Sequence, residues 1–104
     1  METPELLQKI KSALQAAYGP RLKGVVLYGS RARGDAQADS DYDVLVLLDG
    51  PVDWTREVRT IIDVLYPLTN ELDGPLEAIP IDVESFERQE LSLFMRAKRE
   101  GVLA

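Results

Sequence analysis

Two amino acids are missing from the 104-residue chain, cysteine and histidine. The absence of cysteine excludes disulfides, thiolate zinc sites and cysteine nucleophiles. The absence of histidine excludes Ser-His and Cys-His catalysis and metal sites that use imidazole. A metal ion bound by this chain must therefore sit on oxygen ligands and be a hard cation.

Positive charge and long apolar runs are also scarce. Twelve basic residues against 18 acidic ones give a net charge of −6, which argues against broad binding to nucleic acid or to an anionic membrane. The longest apolar run, Val44–Leu48, is far shorter than the ~20 residues that a membrane span needs. The first five residues are acidic and lack the basic region of a signal peptide. We expect a cytosolic protein with no membrane and no direct nucleic-acid partner.

The remaining composition is that of a globular domain, with 45% hydrophobic and 29% charged residues. The length predicts a single domain over residues 1–104. Helical spacing of apolar residues predicts a first helix, with Thr3 as its N-cap and Gly19-Pro20 at its end. β-Branched and aromatic runs predict strands at Gly24–Tyr28 and Tyr42–Leu48.

The second half of the chain continues the alternation of helices and strands. Asp53 is expected to cap a helix in which Pro67 causes either an end or a kink. Glu77–Val83 is predicted to be a strand at or near a sheet edge, because Pro80 cannot donate a ladder hydrogen bond. Ser85 is predicted to cap a last helix that runs to about Glu100. Aromatic and apolar helix residues are predicted to pack in the core: Trp54, Val58, Ile61, Ile62, Leu65, Tyr66, Phe86, Phe94 and Met95. This order predicts an α+β (mixed α/β) fold, a small mixed sheet with helices mainly on one face.

Gly29 and Ser30 follow the first predicted strand. Glycine permits a sharp turn and close approach of a ligand, and serine at the start of a helical turn offers a hydroxyl and nearby N–H groups to an anion. The same pair is also typical of a plain turn with an N-cap, so both interpretations stay open at this point.

Asp41 and Asp43 stand at the start of the second predicted strand. Side chains alternate along a strand, so the two carboxylates point the same way and repel each other unless a cation lies between them. A solvated turn would also accommodate them. Together with the turn at Gly29-Ser30, they describe a site for Mg²⁺ and a triphosphate, because Mg²⁺ is completed by substrate phosphates.

The segment GSRARGDAQADSDYDVLV, Gly29–Val46, resembles the signature of the DNA polymerase β-type nucleotidyltransferase superfamily, and in particular the minimal nucleotidyltransferases of bacteria and archaea. The resemblance implies the nucleotidyltransferase fold. It also implies transfer of a nucleoside monophosphate from a nucleoside triphosphate, usually ATP, with release of pyrophosphate.

Specific residues take roles from this resemblance. Gly29 and Ser30 would hold the triphosphate, and Asp41 and Asp43 would ligate two Mg²⁺ ions roughly 3.5–4 Å apart. The superfamily usually adds a third carboxylate on a neighbouring strand, for which Asp82 is the candidate; Asp82 could instead simply end its strand. Arg31 and Arg33 either contact phosphates or are exposed arginines that offset nearby acids. Tyr28 could border a nucleotide pocket, although an aromatic residue in a strand needs no ligand.

The resemblance also suggests a partner. Minimal nucleotidyltransferases often accompany a small helical HEPN-type protein encoded nearby, and can act as antitoxins by adenylylating a tyrosine of that toxin. Two alternatives remain open: neutralisation of the partner by contact alone, and nucleotidyl transfer to a small hydroxylated molecule. A homo-oligomer is also compatible with the sequence.

Overall fold

The computed structural model describes residues 2–34, 36–37 and 40–104. Helices and strands alternate along most of the chain, as the sequence predicts. Their bounds are α1 Thr3–Tyr18, a 3-10 turn Gly19–Arg21, β1 Leu22–Tyr28, α2 Ser30–Arg33, β2 Tyr42–Leu48, α3 Trp54–Thr69, β3 Leu76–Asp82, α4 Val83–Glu87, α5 Ser92–Glu100 and β4 Val102–Leu103.

The four strands form one mixed sheet in the order β3-β2-β1-β4. β2 runs antiparallel to β1 and parallel to β3, while β4 pairs antiparallel with the other side of β1. The end of β1, the start of β2 and the start of β3 therefore meet at one edge of the molecule. This meeting of three strand ends positions the candidate site.

Helices cover the two faces of the sheet unequally. The two 16-residue helices α1 and α3 pack on one face, where the larger apolar cluster unites them with alternate residues of β1 and β2. The shorter α4 and α5 contribute Phe86 and Phe94 to a smaller cluster on the other face. The fold is thus the expected mixed α+β arrangement, with the long helices on one face and a second, smaller cover opposite.

Several predicted boundaries change in the structure. The N-cap of α1 is Glu2, one residue before the predicted Thr3. α3 continues past Pro67 to Thr69, so this proline does not end the helix. Pro67 lies in the last turn, where the loss of one N–H donor costs less than it would in the middle of the helix.

The prediction of one helix from Ser85 to Glu100 is wrong. Asp82, and not Ser85, caps α4 by accepting a hydrogen bond from the Glu84 N–H, and Gln89 has a left-handed φ of 54° between α4 and α5. α5 ends at Glu100, the predicted end of the last helix, and Gly101 follows it. The short β4 was not predicted, because two residues carry no periodic signal.

The predicted core is correct for Phe86, Phe94, Ile61 and Leu65, which are buried. It is wrong for four large apolar side chains that are at least half exposed: Trp54, Ile62, Tyr66 and Met95. The apolar sector of α3 is wider than the face that the sheet covers, so part of it remains outside the core.

β3 is an edge strand, as Pro80 indicated. Among the described residues, every helix falls short of the length and apolar character that crossing a membrane requires.

Candidate active site

Three carboxylates converge where β1, β2 and β3 meet. Asp41 precedes β2, Asp43 is the second residue of β2, and Glu77 is the second residue of β3. One carboxylate oxygen from each of the three lies within 4.8 Å of the others. Asp43 and Glu77 are opposite each other in the parallel register, so their side chains leave the same face of the sheet.

Burial and charge both act on this cluster. Burial raises the pKa of Asp43, and the negative charge of Asp41 raises it further, while a hydrogen bond with Glu77 partly offsets both effects. Within residues 2–34, 36–37 and 40–104, none of the three carboxylates forms an ion pair with a basic side chain. Repulsion of this kind is relieved either by a proton or by a bound cation.

Gly29 brings the phosphate-type turn against the same cluster. It follows β1 with a φ of 78°, and a Cβ atom added there would lie 2.7 Å from Asp43 Oδ2. Only glycine permits both this backbone conformation and this close approach. Ser30 begins α2 directly afterwards. The structure therefore places the turn that contains Gly29 and Ser30 next to Asp43, with Asp41 in the same cluster. That these four residues bind nucleotide and metal stays a prediction.

The two predicted arginines have different surroundings. Arg31 donates from Nε and Nη2 to the Ser40 carbonyl, at 3.2 and 2.9 Å, and its guanidinium lies 4.0 Å from the centre of the Tyr42 ring. Arg31 thus contacts the residues on both sides of Asp41, which indicates that it positions the Asp41 carboxylate. Arg33 is half-exposed and lies 3.9 Å from Glu100 of α5.

A cleft of about 200 Å³ lies beside the carboxylates, between β1, α2 and α5. Its walls include Tyr28, Gly29, Arg33, Arg96 and Glu100. Burial raises the pKa of the Tyr28 hydroxyl, and the charges of Asp43 and Glu77 raise it further. Tyr28 is opposite Asp43 in the antiparallel register, and Asp43 is opposite Glu77, so Tyr28 lies beside these carboxylates. That it borders a bound nucleotide stays a prediction.

Asp82 does not join the cluster, so its prediction as third carboxylate is wrong. In the parallel register Asp82 is opposite Leu48, five residues beyond Glu77 and roughly 16 Å further along the strand. Its Oδ1 accepts a 2.8 Å hydrogen bond from the Glu84 N–H and so caps α4. Glu77 takes the place that Asp82 was expected to fill. Sequence reasoning missed Glu77 because the direction of β3 decides which end of it meets β2.

Comparison with known proteins agrees with this geometry. The model of the nucleotidyltransferase domain family matches residues 7–98. The chain therefore belongs to the nucleotidyltransferase domain family.

Two relatives from Methanocaldococcus jannaschii are similar in sequence. "Putative protein adenylyltransferase MJ0604" is 32% identical over 64% of this chain and 66% of its own length, and "Putative protein adenylyltransferase MJ0141" is 40% identical over 46% and 48%. The chain thus spans just under two thirds of the first relative and about half of the second.

A solved structure shares the fold. The crystal structure of a toxin–antitoxin with AMP-PNP superposes with a TM-score of 0.59 at 20% identity, over 92% of this chain and 69% of that one.

Proposed function

We propose that this protein transfers AMP from ATP to a hydroxyl group of a partner protein, in a reaction that depends on Mg²⁺. The observation that carries the proposal is the convergence of Asp41, Asp43 and Glu77 beside the Gly29 turn. Family membership supports the reaction class. The names of the two archaeal relatives support a protein as the acceptor.

The carboxylate cluster fits Mg²⁺. All three donors are hard carboxylate oxygens, they lie close enough to share an ion, and their repulsion favours a positive charge between them. Asp41, Asp43 and Glu77 would hold two Mg²⁺ ions, with triphosphate oxygens and water as the other ligands. When bound, the ions would neutralise charge that develops on the transferring phosphoryl group and on the leaving oxygen.

The cleft beside the cluster suits the triphosphate. Its volume of about 200 Å³ is below the ~300 Å³ at which drug-sized ligand pockets begin, which suits a group of the size of the phosphates. Gly29 allows close approach of the β1–α2 turn, the Ser30 hydroxyl would donate to a phosphate oxygen, and Arg33 and Arg96 would supply positive charge from two helices.

In the proposed reaction ATP and a hydroxyl group supply all the atoms that are transferred or released. The acceptor oxygen forms a bond to the α-phosphorus, the bond between that phosphorus and the bridging oxygen breaks, and pyrophosphate leaves. The hydroxyl proton passes to solvent or to a carboxylate of the cluster. The protein would contribute mainly by positioning the reactants and by stabilising the charge of the transition state, which is sufficient for phosphoryl transfer.

The acceptor is proposed to be a tyrosine of a small helical HEPN-type toxin, and the protein to act as its antitoxin. Asp41 and Glu77 are exposed, so a side chain carried on another protein can reach them. The fold shared with a toxin–antitoxin structure supports this assignment. We place the reaction in the cytosol, where ATP and Mg²⁺ are available.

The test is to incubate the purified protein with Mg²⁺, ATP labelled on the α-phosphate, and the helical protein encoded beside it. We expect label on the partner and one pyrophosphate released per label transferred. Asp41→Asn should abolish transfer, while Asp49→Asn, the same change at the far end of β2, should not. Mass spectrometry of the labelled partner identifies the residue modified.

Two outcomes would contradict this proposal, and each would favour a different function. If no pyrophosphate is released and Asp41→Asn still neutralises the partner, neutralisation occurs by contact alone. If pyrophosphate is released only when small hydroxylated compounds are added, the acceptor is a small molecule.

A further inference from the structure

α3 carries an exposed apolar ridge, formed by Trp54, Val58, Ile62 and Tyr66 at every fourth residue. The exposed fractions of Trp54, Ile62 and Tyr66 are 55%, 58% and 65%. Residues four apart lie in a row along one side of a helix. The core-facing row of α3 is a separate one, which includes Ile61 and Leu65. Val58 is half-buried, while more than half of each of the other three side chains stays uncovered by the described residues. Exposed apolar patches of this kind mark interaction surfaces.

Grooves run along both sides of the ridge. One, of about 340 Å³, is bordered by Thr55, Arg59 and Asp63. The other, of about 420 Å³, lies between the ridge and residues 76–79 of β3. A ridge of residues four apart beside open grooves is the surface that a second helix packs against, with its own ridge in the groove.

An added β-strand fits this surface poorly. β3 is one edge of the sheet, and Pro80, one residue past its centre, has no N–H to offer an incoming strand. The occupant of the grooves is therefore expected to be a helix.

The charges beside the ridge indicate which helix packs against it. Arg59 and Asp63 lie on the same flank, both are exposed, and neither forms an ion pair within the described part of the chain. An arginine four residues before an aspartate is also the less favourable order for a pair within one helix. Both charges are thus available to a partner.

A second α3 would meet these charges with their opposites. If two copies of α3 cross antiparallel about a two-fold axis between Thr60 and Ile61, Trp54 lies within about one residue of facing Tyr66 of the other copy, and Val58 within about one residue of facing Ile62. Arg59 then lies next to Asp63 of the other copy, and Asp63 next to Arg59. Both pairs lie within one helical turn of the axis, so they stay in reach over a range of crossing angles. A surface that complements itself in this way is what an isologous dimer requires.

We propose that the α3 ridge is the interface of a homodimer, in which two copies of this chain pack α3 against α3 around a two-fold axis. Glu77 borders the second groove, so each carboxylate cluster lies at the margin of this interface. Dimerisation does not depend on nucleotidyl transfer, because it uses neither Asp41 nor Asp43.

Sedimentation velocity of the purified chain tests the interface. We expect a dimer at about 0.1 mM, since a homodimer of modest affinity has a micromolar Kd. Ile62→Glu should give a monomer with an unchanged circular dichroism spectrum. Met95→Glu, a matched change at an exposed apolar residue of α5, should leave the dimer intact. Trp54 is the only tryptophan, so its emission should shift to shorter wavelength as the wild-type dimer forms.

Charge reversal tests the pairing. Arg59→Asp and Asp63→Arg should each weaken the homodimer at least tenfold, because each places like charges together. An equimolar mixture of the two variants should form a heterodimer, because opposite charges then face each other at both pairs.

Three results would overturn the proposal. One is a wild-type chain that stays monomeric at about 0.1 mM. Another is a dimer that Ile62→Glu does not weaken, because the interface then lies elsewhere. The third is that the ridge stays exposed in the purified chain and becomes buried only when a different protein is added. The ridge would then be a docking site for that protein.

Discussion

At the scale of single residues, the identity of the third carboxylate in the cluster with Asp41 and Asp43 can be tested directly. Glu77 and Asp82 lie on the same strand, but only Glu77 is opposite Asp43. Asp82 instead caps α4. The two acids should therefore respond to neutral substitutions in different ways.

We expect Glu77→Gln to reduce nucleotidyl transfer by at least ~100-fold, because a carboxylate that holds a catalytic metal contributes several kcal/mol to transition-state stabilisation. Asp82→Asn should retain nearly full activity and lose at most about 1 kcal/mol of stability, since asparagine also caps helices. Label transfer from ATP and urea unfolding of both variants provide the measurements. Loss of activity in Asp82→Asn with full activity in Glu77→Gln would reverse the assignment.

Gly29 tests the approach of the β1–α2 turn to the carboxylates. An alanine Cβ there would lie 2.7 Å from Asp43 Oδ2, so Gly29→Ala must displace the Asp43 carboxylate, which we propose as a metal ligand. We expect activity to fall at least tenfold, together with a loss of about 1–3 kcal/mol of stability from the left-handed backbone.

Gly34→Ala is the matched control for Gly29→Ala. Gly34 has a similar φ of 80°, but an added Cβ there meets no atom of the described residues within 4 Å. Gly34→Ala should share the backbone penalty and keep the activity. Equal activity of the two variants would show that the contact with Asp43 does not matter.

At the scale of elements, a buried carboxylate fixes the start of α3 against α1. Glu57 is 1% exposed, and its oxygens accept hydrogen bonds from the Tyr18 hydroxyl, the Arg21 and Arg56 guanidinium groups and the Asp53 N–H. Burial alone would raise the pKa of Glu57. The hydrogen bonds and the charge of Arg21 outweigh burial and lower it from 4.5 to about 2.

The lowered pKa of Glu57 makes stability depend on pH. A depressed folded-state pKa stabilises the fold fully above the unfolded value of 4.5, and this contribution is lost as pH falls from 4.5 towards 2. The shift corresponds to on the order of 3 kcal/mol.

Glu57→Gln should therefore be much less stable than the wild type at pH 7, and the gap should narrow at pH 3. Urea unfolding of both proteins at the two pH values measures it. Glu71→Gln is the control. Within the described part of the chain the exposed Glu71 carboxylate bonds only to Lys9, so this change should alter stability by less than about 1 kcal/mol. A gap for Glu57→Gln that is the same at both pH values would contradict this account.

Elements with strong local signals were predictable. Tyr42–Leu48 matches β2 residue for residue, because a β-branched run lies between acidic residues and Asp49-Gly50-Pro51. The Gly29 turn and the pair Asp41 and Asp43 follow from the same local patterns.

What the sequence left undetermined depends on tertiary structure. The left-handed Gln89 divides the last predicted helix, although glutamine carries no signal for such a break. Glu77 becomes a site residue only because β3 runs parallel to β2. Trp54 and Ile62 look like core residues in a helical pattern, but the sheet covers only part of the apolar sector of α3.

At the scale of the whole molecule, the sheet separates two apolar clusters of unequal size. The larger joins α1 and α3 to the sheet, and the smaller joins α4 and α5 to the opposite face through Phe86 and Phe94. α4 and α5 are held to the sheet by less buried apolar area than α1 and α3. They should therefore open more easily than the rest of the fold. Arg96 and Glu100 of α5 also line the cleft beside the carboxylates. Local opening of α4 and α5 would therefore open the cleft that we propose for the triphosphate.

Phe94→Leu tests whether the second cover opens by itself. Removing part of a ring that contacts Phe86, 5.9 Å away between ring centres, should cost roughly 1–3 kcal/mol. We expect amide hydrogen exchange, followed by mass spectrometry, to accelerate in α4 and α5 and to change little in α1 and α3. Ile10→Val, a truncation in the larger cluster with a cost of about 1 kcal/mol, should instead accelerate exchange in both covers. If Phe94→Leu accelerates α1 as much as α5, the protein opens as one cooperative unit, and the cleft cannot open without global unfolding.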